Sequence, residues 1–133
     1  MLGKIIGELK ATTTNKALPS DGALPIFETS AEGAGTLAGA DAQFLATYRS
    51  EMRADGTLYG ECPAGIIMTA DGVATFKATG IGTFTANGGA TFRGAAYFQA
   101  TAPSLASLNG ICAVYDWEVD AEGNATWTLW EKK

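Results

Sequence analysis

Three dipeptides, Asp55-Gly56, Asp71-Gly72 and Asn87-Gly88, begin 16 residues apart in a chain of 133. Each is a strong hairpin signal, because glycine accepts the positive φ that tight β-loops impose. Glu122-Gly123-Asn124 is a weaker copy of the same device. A chain that reverses at this interval has room between turns for strands of about a dozen residues and for little else. The intervening segments are rich in β-branched and aromatic residues, and the second half shows no helical apolar period. Eight strands are predicted, over 3–13, 26–37, 42–53, 57–69, 73–85, 90–100, 110–119 and 125–132. Longer loops run from Asn15 to Pro25 and from Thr101 to Asn109, and no linker divides 1–133 into two domains.

Strands joined in sequence must dispose of two edges, and closing the sheet on itself removes both. The expected fold is therefore all-β, a closed eight-stranded antiparallel up-and-down β-barrel. A three-residue loop at Ala70-Asp71-Gly72 sets Ile66 against Phe76, Ala64 against Ala78 and Cys62 against Gly80. Carried through Asn87-Gly88-Gly89, the register sets Phe84 against Phe92, Gly82 against Gly94 and Ala78 against Phe98. One face is then apolar, with large residues opposite small ones, as a narrow interior needs. Parity adds Phe44, Tyr48 and Met52 to that face, then Ile111, Tyr115 and Trp117, then Trp127 and Leu129. Gly60, Gly80, Gly82 and Gly94 mark sharp bends or close approach to the backbone. Tyr59, Ile67, Ile81 and Tyr97 fall on the outer face among threonines and charges, a patch that would suit a homodimer.

Composition closes several routes to function. There is no histidine, so Ser-His-Asp and Cys-His nucleophiles and His-ligated zinc are excluded. The net charge of −5, with nine basic residues spread thinly, argues against nucleic acid and anionic membrane as partners. No apolar run is long enough to span a bilayer, and Lys4 and Glu8 interrupt any secretory h-region, so a cytoplasmic location is expected. Cys62 and Cys112 read as free thiols packing as small hydrophobes. The Asp-Gly pairs lack the alternating oxygen ligands of a calcium loop, and no glycine motif leads into a helix; neither metal nor cofactor is expected.

Function then rests on what fills the barrel. Tyr48, Cys62, Phe76, Phe98, Tyr115 and Trp117 are the candidate wall of a pocket for a small apolar molecule. The same side chains are also enough to fill an eight-stranded barrel, which leaves a packed interaction protein as the alternative. Glu61 is the candidate catalytic acid or base, on one condition. A two-residue turn at Asp55-Gly56 points it inward beside Tyr48, where burial would raise its pKa. A three-residue loop at Ala54-Asp55-Gly56 puts it outside opposite Arg49, the register that suits the downstream apolar pattern better. Glu28 poses the same question, and Arg93 is expected to point outward.

The stretches Asp55-Gly56-Thr57-Leu58-Tyr59-Gly60-Glu61, Ile67-Met68-Thr69-Ala70-Asp71-Gly72, Phe92-Arg93-Gly94-Ala95 and Leu108-Asn109-Gly110 resemble those of short uncharacterised bacterial proteins, over nearly the whole chain. In fold alone the chain resembles the allene oxide cyclase-like barrels, neighbours of the lipocalins; none of their catalytic motifs matches residue by residue. That resemblance implies an interior that holds hydrophobic molecules, and in some members cofactor-free cyclisation or isomerisation by shaping the substrate.

Overall fold

The computed structural model describes residues 2–132. Eight strands, β1 (Leu2–Leu18), β2 (Ile26–Leu37), β3 (Ala40–Met52), β4 (Leu58–Thr69), β5 (Gly72–Phe84), β6 (Ala90–Ala100), β7 (Ala113–Val119) and β8 (Asn124–Lys132), form a closed antiparallel barrel. Each strand pairs with the next, and β1 closes on β8 with Leu9 opposite Trp127. No unpaired edge is left between them.

Local chemistry explains most of the turns. Arg53–Thr57, Thr85–Gly89 and Asp120–Asn124 are each bridged by a backbone hydrogen bond around a three-residue loop. The last loop residue is glycine each time, with φ of 88° at Gly56, 91° at Gly88 and 87° at Gly123. A residue with a Cβ is strained there, so one device is used three times. Asp55 and Asp120 tie these loops down by accepting backbone N–H bonds from Thr57, and from Glu122 and Asn124. Ala38 and Gly39, both at positive φ, make a separate two-residue turn between β2 and β3.

The β4–β5 connection departs from expectation. It is a two-residue turn at Ala70-Asp71, with Thr69 opposite Gly72. The parity this would upset is restored by a β-bulge: between Cys62 and Gly65, Pro63 and Ala64 together face the single residue Lys77. Proline has no N–H to give the ladder, so a bulge is where a central strand tolerates it. As a result Ile67 is fully buried inside, while Ile66 and Ala64 are exposed outside, the reverse of the register expected for all three. The β5–β6 register also lies two residues from the expected one, with Phe76 opposite Phe98 and Gly82 opposite Phe92. A shift of two keeps every side chain on its face.

The two ends of the barrel differ. The Thr101–Asn109 loop contains a 3-10 helix, Pro103–Leu108, whose Leu105 and Leu108 are sealed inside as a plug. Asp71 latches it, accepting from the Ser104 backbone N–H at 2.8 Å, the Ser104 hydroxyl at 2.7 Å and the Thr69 hydroxyl at 2.6 Å. At the opposite mouth, Phe27 from β2 and Phe84 from β5 meet edge to face with ring centroids 6.0 Å apart. β1 runs five residues beyond its expected end, and Asn15 near that mouth accepts a 2.6 Å hydrogen bond from the buried Thr29 hydroxyl.

Candidate functional site

Alternation places the inner wall. Along β3, Phe44, Ala46 and Tyr48 point in; along β4, Gly60 and Cys62; along β5, Phe76 and Ala78; β6 adds Phe92, β7 Tyr115 and Trp117, and β8 Trp127. Midway between plug and mouth these residues, with Ala31, line a partly open cavity of about 50 Å³. At roughly 10–15 Å³ per water-sized group, it has room for about four such groups.

The rings interlock. Trp127 stands at the centre, its ring centroid 5.2 Å from that of Phe44, 5.1 Å from Phe76, 6.2 Å from Tyr115 and 6.3 Å from Trp117. Interior glycines make this possible. A Cβ on Gly33 would stand 2.7 Å from the Phe44 ring, one on Gly82 2.6 Å from Phe92, and one on Gly80 2.5 Å from the Tyr115 hydroxyl. Phe44 and Phe92 lie over the neighbouring strand, and Tyr115 reaches across β6 to β5, in each case where the strand below has no side chain.

Most polar atoms in the wall are committed. Trp117 donates from Nε1 to the Tyr48 hydroxyl oxygen at 3.0 Å, and Tyr115 crosses the inner wall to donate to the Thr79 carbonyl at 3.1 Å. Burial pushes the Tyr48 and Tyr115 hydroxyls above the ordinary phenol value and the Cys62 thiol above the ordinary thiol value, so all three are neutral at physiological pH. Cys62 and the half-buried Cys112 are both free.

Of the residues singled out from sequence, Tyr48, Cys62, Phe76, Tyr115 and Trp117 converge on this cavity. Phe98 stands behind the wall, packed on Phe76 at 5.7 Å. Glu61 borders the cavity along the chain, but the residue is exposed, between buried Gly60 and Cys62 and opposite Arg49 and Thr79. The inward catalytic carboxylate is thereby corrected: the three-residue loop at 54–56 fixes the outward register. Arg49 makes its close ion pair with Glu51, at 3.4 Å, on the same outer face. Glu28 also faces outward, between Lys16 and Arg49, and Arg93 outward between Ile81 and Asp116. Among the described residues no cluster of three acids or cysteines could hold a metal, and no helix is long and apolar enough to cross a membrane.

Phe44, Phe92 and Trp127 line the cavity without having been marked as binding residues. Their inward parity was legible, but which of several inward rings border a void depends on how they tilt across strands.

No family model matches the chain, and no curated protein does. Solved structures do. A conserved protein of unknown function from Rhodopseudomonas palustris superposes with a TM-score of 0.80 at 14% identity, covering 98% of this chain and 97% of that one. A protein of unknown function from Clostridium acetobutylicum gives 0.81 at 13%, covering 98% of both. A beta-barrel like protein from Acinetobacter baumannii gives 0.77 at 12%, covering 100% and 96%. At such identities the likeness is one of fold, shared over the full length: this chain is an eight-stranded β-barrel with a buried aromatic core.

Proposed function

We propose that the barrel binds a small, uncharged, largely apolar molecule in its interior. The observation that carries this reading is the central cavity, walled by aromatic rings and small residues; Glu61, the charged residue at its border, is exposed on the outer face. Interiors are normally packed with few voids larger than a water molecule, and a void several times that size among the interlocked rings supports this reading. Its size limits the occupant to a few non-hydrogen atoms unless the Phe27–Phe84 pair and its neighbours move aside. The implied cyclisation or isomerisation would have to proceed by confinement alone, since Glu61 lies outside and the cavity phenols hold their protons.

Xenon partitions into dry apolar cavities and tests it directly. A crystal pressurised with xenon is expected to show one atom among Phe44, Phe76, Phe92 and Trp117. An interior that takes up none removes the reading.

A second reading has an observation of its own. Leu45 and Ile66 are cross-strand partners on the outer face, 46% and 44% exposed, and Val73, 49% exposed, pairs with Met68 beside them. The Pro63-Ala64 bulge turns Ile66 and Met68 outward to join Leu45 and Val73, a contiguous apolar patch suited to a second copy of the chain. The patch expected from sequence is broken, because Ile67 is inside and Tyr97 pairs with Lys77 rather than beside Tyr59 and Ile81.

A further inference from the structure

Trp127 is 4% exposed and its ring sits amid four other aromatic rings. Its indole N–H nevertheless has no hydrogen-bond acceptor among the described residues, unlike that of Trp117, which is satisfied by Tyr48. A buried donor left unpaired costs about 1–3 kcal/mol, so native interiors rarely contain one. Among the described residues no buried side-chain nitrogen or oxygen is both unpaired and sealed from a water-sized probe. The Trp127 N–H must therefore open onto accessible space, and for a residue this deep in the barrel that space is the central cavity it lines.

The Trp117 N–H is spent on the Tyr48 hydroxyl oxygen and the Tyr115 hydroxyl on the Thr79 carbonyl, while the Tyr48 hydroxyl, accepting from Trp117 at one side of the cavity, keeps its own proton. The Trp127 N–H is the unpaired nitrogen donor among the described lining residues, set amid ring faces, alanine methyl groups and the Cys62 thiol, with the Tyr48 hydroxyl to one side. Water is a poor match, because buried waters make about three hydrogen bonds each and most of this wall is ring faces and methyl groups. An occupant with an apolar body and one acceptor oxygen fits better, covering the rings and pairing the donor at once.

We infer that the cavity selects a neutral molecule of about four non-hydrogen atoms bearing one carbonyl or hydroxyl oxygen, which accepts a hydrogen bond from Trp127 Nε1. This rests on the binding reading above and narrows it from "small and apolar" to an acceptor-bearing class, the small ketones and alcohols. Trp127 is then the residue that sets specificity, while Phe44, Phe76 and Phe92 shape the body of the site.

Acetone and 2-methylpropene are suitable probes, because they share a shape and differ in the presence of the oxygen. The protein labelled with 15N is titrated with each, following the indole N–H resonances. The Trp127 resonance is expected to move downfield with acetone and to stay near its position with 2-methylpropene. Trp127→Phe is expected to weaken acetone about two- to tenfold, the worth of one neutral hydrogen bond, without weakening 2-methylpropene. If both probes bind and the Trp127 N–H responds to neither, the acceptor assignment is overturned and the binding reading stands. If neither binds and the N–H shows cross-relaxation only to long-lived water, both are overturned. The wild-type titration decides the matter even if the substituted protein fails to fold.

Discussion

Gly65 carries no side chain because the Phe76 ring of the paired strand occupies the place of its Cβ. The same relation ties Gly33 to Phe44, Gly82 to Phe92 and Gly80 to Tyr115. In most strands glycine is a weakness, since it packs nothing and orders at an entropic cost. Here it is the receiving half of an aromatic contact. Gly65→Ala is expected to destabilise the protein by about 1–3 kcal/mol, the usual cost of overpacking a core. Urea denaturation would show it, and pairing the change with Phe76→Leu should recover part of the loss. A Gly65→Ala protein as stable as wild type would mean the ring can move aside at little cost. The glycines and the aromatics were both readable in the sequence. Their pairing was not: for Gly65 and Phe76 it depends on the adjoining Pro63-Ala64 bulge, and for the others on the register between strands.

At the scale of elements, the Asp71 latch joins the β4–β5 turn to the plug helix. Hydrogen bonds from Thr69 and Ser104 hold the Asp71 carboxyl at about 2, below its ordinary 3.8. A carboxylate whose pKa is depressed by folding stabilises the native state above its ordinary pKa, and that contribution fades as pH falls from about 4 toward 2. Asp71→Asn is therefore expected to lower the melting temperature at pH 6 and to flatten the acid limb between pH 4 and 2. Hydrogen exchange should show Leu105 and Leu108 losing protection first. If the acid limb kept its wild-type slope, the latch would have no part in holding the plug. Asp71-Gly72 was legible as a turn; its service to a helix more than 30 residues away was not, because nothing local in the sequence joins the two.

For the whole molecule, closure leaves no edge strand for another chain to extend, so any self-association must use side chains on the outer wall. The Leu45–Ile66–Met68–Val73 patch is the place for it. If that patch is a dimer surface, light scattering of the wild type gives twice the chain mass at micromolar concentration, and Ile66→Glu returns it to the monomer. Ile66 is 44% exposed, so the substitution leaves the core intact. A wild-type protein that stays monomeric at millimolar concentration eliminates this second reading and leaves the interior as the only candidate site described.

What the sequence determined by itself is what depends on near neighbours in the chain. Asp-Gly and Asn-Gly pairs at a fixed spacing set the reversals, period-two alternation set the strands, and strands of similar length without protected edges required closure. Tertiary structure decided which side chains face inward past a bulge, because each strand's register is held by the ladders on both its sides. It put Glu61 outside, exchanged Ile66 for Ile67, and left one indole N–H open to a void. A void is the space that many tilted rings together fail to fill, so no single stretch of sequence specifies it.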